Sequence, residues 1–401
     1  MGTDMGAKMP IIKRSLEPQL KQLVDWFPVV TVTGPRQSGK TTLVRNVFPD
    51  RTYVNLEDPR LRAAAREDPM GFLEDRPKQL IIDEAQNVPE LFSALQVIVD
   101  ESADQAQYVL SGSQNFALLK AVKQSLAGRV GMLRLLPLSL GELAAQPEEN
   151  QDPKSAQLLD FSLRGGYPRL RVKGMKPATF FDAYIETYLE RDVAGLLDVR
   201  NIASYREVLR LLAHNAGKLL NYSRLANDAG VALNTVRGWV AMLESSYLIF
   251  TLQPFHANLR KRLTRTPKVY FHDTGLLCHL LGIRTTEQLV ESEYFGAVFE
   301  NLVIEETLKS HHNNGRQPAL YFYRDDSKRE ADLIDLTIPE TPRIAEIKSS
   351  TMYHHHYART LNAIADDISV PADNRWVILR GGDARDVDGV HARSVADWLD
   401  A

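Results

Sequence analysis

The stretch from Val29 to Phe48, "VVTVTGPRQSGKTTLVRNVF", decides the fold. Its β-branched apolar opening reads as a buried strand, and the run from Gly39 onward reads as a helix. Between them, Gly34 to Thr41 match G-x-x-x-x-G-K-[ST] in the required context, strand before and helix after. The order has a physical reason. Gly34 and Gly39 permit tight backbone geometry, so successive N–H groups of Pro35's neighbours Arg36, Gln37 and Ser38 can point at phosphate oxygens. The helix N-terminus adds its positive end. Lys40 would reach the β and γ phosphates, Thr41 would offer a hydroxyl to Mg²⁺, and Thr42 follows in the first turn. ATP and Mg²⁺ are therefore the expected ligands.

Working outward, "LIIDEAQ" supplies a partner. Leu80 to Ile82 read as a buried strand end, from which Asp83 emerges where Mg²⁺ would sit. Glu84, immediately next, is placed to polarise an attacking water as general base. "RTYVNLED" and "AQYVLSGSQ" are further apolar runs separated by helical stretches, the pattern of a parallel α/β sheet. These segments resemble the AAA+ ATPases. The resemblance implies a P-loop NTPase core and makes "YVLSGSQ" a sensor strand, with Ser113 (or Ser111) touching the γ-phosphate. It also makes Arg129, in "SLAGRV", either a residue that completes a neighbouring subunit's site, which implies a homo-oligomer with a ring as one form, or a plain surface arginine. Arg169 and Arg191 are both candidates for the second sensor position.

The resemblance extends through "GGYPRL", "YLERDV", "LLNYSRLANDAGVALNTVRGWVAMLESSYLI" and "PKVYFHDTGLL", which are similar to prokaryotic AAA+ proteins with an uncharacterised C-terminal domain. In the middle of the chain, Ser223 and Asn234 are expected to cap two short helices, with Gly230 at the turn. Val236, Val240 and Leu243 share one helical face, and Thr235 and Arg237 fall away from it. That is a winged helix-turn-helix pattern, which would present Thr235 and Arg237 to a DNA groove. Arg260, Lys261, Arg262, Arg265 and Lys268 follow with no acid among them, a candidate phosphate-binding patch. Gly238 weakens the recognition-helix reading, and winged helices also serve as packing modules.

Near the end stands "READLIDLTIPETPRIAEIKSS", residues 329–350. Read as two strands, it puts Glu346 and Lys348 on one face, with Asp332 on the neighbouring strand. The preceding segment carries an apolar helical stripe of Phe295, Val298, Phe299, Leu302 and Val303. Glu300 lies among Gly296, Ala297, Val303 and Ile304, apolar company in which a carboxylate needs a cation or a hydrogen bond. Glu305 and Glu306 are expected to face solvent. Glu300, Asp332, Glu346 and Lys348 together resemble the PD-(D/E)xK nuclease superfamily, with Ala331 where that pattern has proline. The resemblance implies that the three acids share a cation such as Mg²⁺ and that Lys348 orients or deprotonates water. The bland alternative is a buried ion-pair network without cutting activity.

The bulk properties bound these readings. A chain of 401 residues is too long for one ordinary core. A net charge of −3 excludes a globally basic nucleic-acid binder and leaves only local patches. A single cysteine, Cys278, excludes an internal disulfide framework and fits a reducing, cytoplasmic location. No run approaches the ~18 apolar residues of a membrane helix, and "MGTDMGAKMP" lacks a signal-peptide core. "YHHHYA", residues 353–358, reads as a solvated loop. The expected organisation is an AAA+ core over 11–143, a helical segment over 158–215, a winged helix-turn-helix over 216–282 and an α/β nuclease-like domain over 290–401. The expected function is an ATP-hydrolysing protein that processes branched or broken duplex DNA. The alternative is a nucleotide-controlled protein-interaction switch with an inert nuclease-like domain.

Overall fold

The computed structural model describes residues 11–101, 108–112, 125–145, 154–188, 202–255 and 266–401. Ser113, Arg191, Arg260, Lys261, Arg262 and Arg265 lie outside the described residues. No described helix is long and apolar enough to cross a membrane.

The first unit is a parallel sheet of β1 (Val29–Thr33), β2 (Thr52–Asn55), β3 (Leu80–Asp83), β4 (Tyr108–Ser111) and β5 (Val130–Arg134) in the order β2-β3-β4-β1-β5. Every residue of β1, β3 and β4 is buried, as a sheet covered on both faces requires. The period of two is visible in the packing. Val29, Leu80, Ile82 and Leu110 enter one apolar cluster, while Val30, Val32, Ile81 and Val109 enter the other. The register sets Asp83 beside Ser111 and Ser111 beside Val32, so the ends of three neighbouring strands meet at one edge.

The middle of the chain contains α-helices over Tyr222–Ala229 and Leu233–Ser245. Their caps differ from the expected ones. Asn221, not Ser223, caps the first, its side chain accepting from the Arg224 N–H at 2.9 Å. The second begins one residue before Asn234, after an extended Ala232, so Asn234 lies inside the first turn. Gly230 ends the first helix with φ 66°, a left-handed conformation that glycine adopts without steric cost. Val236, Trp239, Val240 and Leu243 are buried, Arg237 is exposed and Thr235 is half-buried.

The second sheet has eight strands: β6 (Ile249–Pro254), β7 (Lys268–Phe271), β8 (Leu320–Arg324), β9 (Glu330–Asp335), β10 (Arg343–Lys348), β11 (Arg375–Leu379), β12 (Arg385–Val387) and β13 (Val390–Ser394). Their order is β12-β13-β11-β10-β9-β8-β6-β7. Gln253 and Pro254, at the end of β6, pair in parallel with Tyr321 and Phe322 of β8. The sheet therefore crosses the expected boundary between residues 282 and 290. The pairing joins residues far apart in the chain, which local periodicity does not report.

The helix Phe295–Asn313, here the junction helix, is buried nearly all round from Val298 to His312. Glu305 and Glu306, expected at the surface, are 1% and 2% exposed. Lys309 makes both tolerable, its Nζ lying 2.7 Å from Glu305 and 2.8 Å from Glu306 one turn away. The junction helix also meets the segment after β5. The Leu140 N–H donates to Glu306 at 2.7 Å, and Lys309 donates to the Leu138 carbonyl at 3.1 Å.

Candidate nucleotide site and acid–lysine cluster

The strand ends of the first sheet assemble the first site. After β1 the chain turns through Gly34 at φ 147°, where a Cβ would come within 2.1 Å of the Leu135 carbonyl. Gly39, at φ 96°, opens the helix Lys40–Val47. Lys40 folds back over the loop, its Nζ donating to the carbonyls of Gly34 at 3.0 Å and Pro35 at 2.7 Å. Thr41 donates to Asp83 Oδ2 at 2.7 Å, and Tyr53 donates to the same oxygen at 2.8 Å. Ser111 donates to Asp83 Oδ1 at 2.5 Å. Ser111, one of the two candidate serines, thus sits on the Asp83 carboxylate. Burial, then the hydrogen bond to Asp83, holds the Tyr53 phenol well above its ordinary range.

Glu84 sits in the left-handed region at φ 53°, and the Gln86 amide donates to its carboxylate. A non-glycine residue held there at a strand end is the kind of strain that functional sites store. Arg36, Gln37, Gly39, Lys40, Thr41, Thr42 and Glu84 line a cavity of about 940 Å³ together with Ile11, Ile12, Pro168 and Arg169. Arg169, one of the two second-sensor candidates, lines this cavity. Ser38 is fully buried, so its side chain belongs to the loop's interior. The donor set suits Mg²⁺ and a nucleotide phosphate: a hydroxyl beside a carboxylate, hard oxygen donors, next to a lysine and a turn of backbone amides.

Arg14 was not foreseen. It is 6% exposed and pins the loop from behind, donating to the Ser38 carbonyl at 2.8 Å, the Leu136 carbonyl at 2.7 Å and Glu142 at 3.0 Å. A lone arginine in a polar lead-in carries no motif. Arg129 lies at the start of β5, beside the first residues of β1 and at the opposite end of the sheet from the loop. It pairs there with Asp100 of its own chain and is partly exposed. It cannot reach its own nucleotide cavity.

The second site forms where β7, β9, β10 and the junction helix meet. Lys348 contacts Glu346 at 2.6 Å and Asp332 at 3.6 Å. Asp332 is fixed by the Ile347 N–H at 2.8 Å. Glu300 accepts from Tyr270 at 2.5 Å and Lys268 at 3.1 Å. Lys268 also contacts Glu330 at 2.6 Å. The four residues expected from the sequence are therefore brought together, and Lys268, Tyr270 and Glu330 join them. Lys268 corrects an expectation. It is 3% exposed and engaged by two carboxylates, so it is no cation of a solvent-facing DNA patch.

The electrostatics follow from crowding. Burial, then the Asp332 charge, pushes the Glu300 carboxyl up to about 7 against the pull of Lys268 and Tyr270. Burial and Asp332 likewise push Glu346 up to about 8 against Lys348. Burial opposes the charge on both lysines, but the surrounding carboxylates outweigh it and hold them above the ordinary lysine range. Among the described residues no three acidic, imidazole or thiol side chains converge on a point that a metal ion could occupy. The ammonium groups stand between the carboxylates.

Three family models match the chain: an AAA domain over residues 27–144, a domain of unknown function (DUF8612) over 155–287 and another (DUF4143) over 295–398. The uncharacterized proteins Rv2008c of Mycobacterium tuberculosis and Mb2031c of Mycobacterium bovis are each 34% identical over 330 residues, covering 81% of this chain and 71% of theirs. An uncharacterized protein of Haemophilus influenzae is 22% identical, covering 98% of this chain and 99% of its own. Among solved structures, the Walker-type ATPase paby2304 of Pyrococcus abyssi is similar at a TM-score of 0.47 and 16% identity, covering 69% of this chain and 99% of that one.

Proposed function

The chain belongs to the family of the two mycobacterial proteins, with an AAA-type P-loop ATPase as its first unit, and on that premise we propose that it spends ATP on binding and processing DNA, branched or broken duplexes in particular. The observation that carries the nucleotide part is the set Lys40, Thr41, Asp83 and Glu84 at one edge of the parallel sheet. Lys40 and the amides of Gly34 to Thr42 would hold the phosphates, Thr41 and Asp83 would hold Mg²⁺, and Glu84 would orient the attacking water. Mg²⁺, when bound, supplies charge neutralisation on the phosphates. Arg129, remote from its own cavity, would serve a neighbouring subunit, which requires a homo-oligomer, a ring in the simplest closed form.

The DNA part rests on the exposed Arg237 and its neighbour Thr235, on the basic residues Arg260, Lys261, Arg262 and Arg265, and on the Asp332–Glu346–Lys348 group. The nuclease-like reading of that group, with cytoplasmic action on duplex ends, belongs to this proposal. The test is a panel of DNA shapes scored for ATP turnover and strand scission at low salt, with Asp332→Ala and Lys348→Ala as controls. Stimulated turnover, with scission lost in both variants, is expected. Turnover indifferent to every DNA favours the second reading, a nucleotide-controlled protein-interaction switch. One observation supports that second reading: all four acids of the cluster contact an ammonium group or lie beside one.

A further inference from the structure

We infer that the molecule has a second small-molecule site, in a cavity apart from the nucleotide cavity, and that it takes an organic anion: a phosphate or carboxylate head on an apolar body. The cavity lies where three parts of the chain meet. The helix Leu140–Ala144, which follows the first sheet, contributes Leu140 and Leu143. The helix Lys154–Arg164 contributes Leu158, Phe161 and Arg164, and the helix Val395–Asp400 contributes Leu399. The volume is about 910 Å³, close to the 940 Å³ of the nucleotide cavity, and the two share no lining residue. That is the size of a small-molecule site, and the lining has the usual form of one, largely apolar with a few placed polar groups.

The placed groups are three guanidiniums, Arg164, Arg171 and Arg380. The Arg171 side chain is 5% exposed and held rigidly. Its Nε donates to the Gly165 carbonyl at 2.7 Å, one of its terminal nitrogens donates to Asp160 at 2.7 Å, and its Cζ lies 5.3 Å from the centre of the Phe161 ring. Its other terminal nitrogen is buried with no hydrogen-bond partner, and so is Arg164 Nε. Buried donors on a charged group are costly to leave unmade, and two of them on residues that line one cavity call for an acceptor there. Arg380, directly after β11, is half-buried and donates its Nε to the Ser349 carbonyl at 3.1 Å.

The charge balance names the ligand's sign. Asp160 is one carboxylate shared by two guanidiniums, at 2.7 Å from Arg171 and 3.8 Å from Arg164, so that trio keeps one positive charge. Arg380 adds another and has no ion pair among the described residues. The other two lining acids do not cancel these. Asp397 accepts from the Ser394 N–H at 3.0 Å and hydroxyl at 2.7 Å as the cap of its own helix, and Asp400 is exposed. A planar fork with an unspent donor suits a carboxylate or phosphate oxygen, and the leucines with Phe161 suit an apolar or aromatic body.

The test uses phenyl phosphate and benzoate, which share a ring and differ in the head, titrated calorimetrically into full-length, nucleotide-free protein. Lys40→Ala removes the phosphate loop's lysine and so separates this site from the nucleotide cavity. One of the two probes is expected to bind at one equivalent in both the wild type and Lys40→Ala, and the one that binds tighter identifies the head. Arg171→Gln and Arg380→Gln should each weaken that binding by about tenfold, the scale of one charged hydrogen bond. If Arg171→Gln fails to fold by circular dichroism, Arg380→Gln still decides. No binding of either probe at millimolar concentration would overturn the inference. So would binding that Lys40→Ala abolishes, or binding that the arginine variants leave intact.

Discussion

The two charged centres of this molecule are built in opposite ways. At the nucleotide site the phosphate loop is one contiguous stretch, in which Lys40 rests on carbonyls five and six residues before it, and Asp83 joins it from the end of β3 in the same sheet, 42 residues from Thr41. At the acid–lysine cluster most contacts span a long stretch, with Lys268 and Glu300 separated by 32 residues, and only Lys348 and Glu346 are near neighbours on one strand. The first centre works through backbone that one motif specifies. The second exists only because strands pair correctly across a whole sheet. Damage to the first should therefore fall on activity, and damage to the second on stability.

The largest expected effect tests the first half of that contrast. Lys40→Ala should lower ATP turnover on the order of 10²–10³-fold, as removal of a charge-stabilising donor does. Its thermal midpoint should move by no more than about 4 °C. Phosphate release and a melting curve on the same sample check both, and a collapsed melting curve would break the contrast. Lys268→Met is the mirror image. It leaves Glu300 and Glu330 without their cation and should cost about 3 kcal/mol in urea unfolding, with ATP turnover per folded molecule nearly unchanged.

A third expectation concerns the junction between the centres. His312 is held down at about 3, by burial first and the Arg134 charge next. His272 is lowered for the same two reasons. An unfolded histidine titrates near 6.5, so between pH 6.5 and 3 His312 binds more proton in the unfolded chain than in the folded one. The contribution of each histidine should be full above pH 6.5 and fall on acidification by about 1.4 kcal/mol per pH unit, against the opposite slope of Glu300 and Glu346, which gain protons on folding. Urea midpoints at pH 7.5 and 5.5 measure the slope, and His312→Gln should reduce it. A slope unchanged in His312→Gln would show that this histidine does not stay enclosed in solution. The smallest effect sets the scale of a purely local contact: Asn221→Ala should cost about 1 kcal/mol, whereas Ser223→Ala should be close to neutral by the same unfolding measurement.

Legibility in the sequence follows the same division. The loop from Gly34 to Thr42, and Asp83 with Glu84, were readable because phosphate binding uses consecutive residues at a strand end. Asp332, Glu346 and Lys348 were readable because a strand's period of two is local. Glu300 was betrayed by its apolar company. Lys268 misled because the nearest charged residues before it in the chain are cations, while its partners in space are acids on other elements. Glu305 and Glu306 misled because spacing along one helix does not reveal that the helix is enclosed on every side. The caps at Asn221 and Ala232 sit within two residues of those expected, an error in boundary and not in kind.

The two-residue pairing of β6 with β8 has a consequence for how such proteins can be cut and recombined. A fragment ending near residue 285 would carry off Lys268 and Tyr270 and leave Glu300 facing no cation. The other fragment would begin with the bare edge of β8, an invitation to aggregation. The chain therefore does not come apart where its composition changes. An exchange of C-terminal units between relatives would have to begin before Ile249, taking β6 and β7 along, if the transplanted part is to arrive with its own counter-charge.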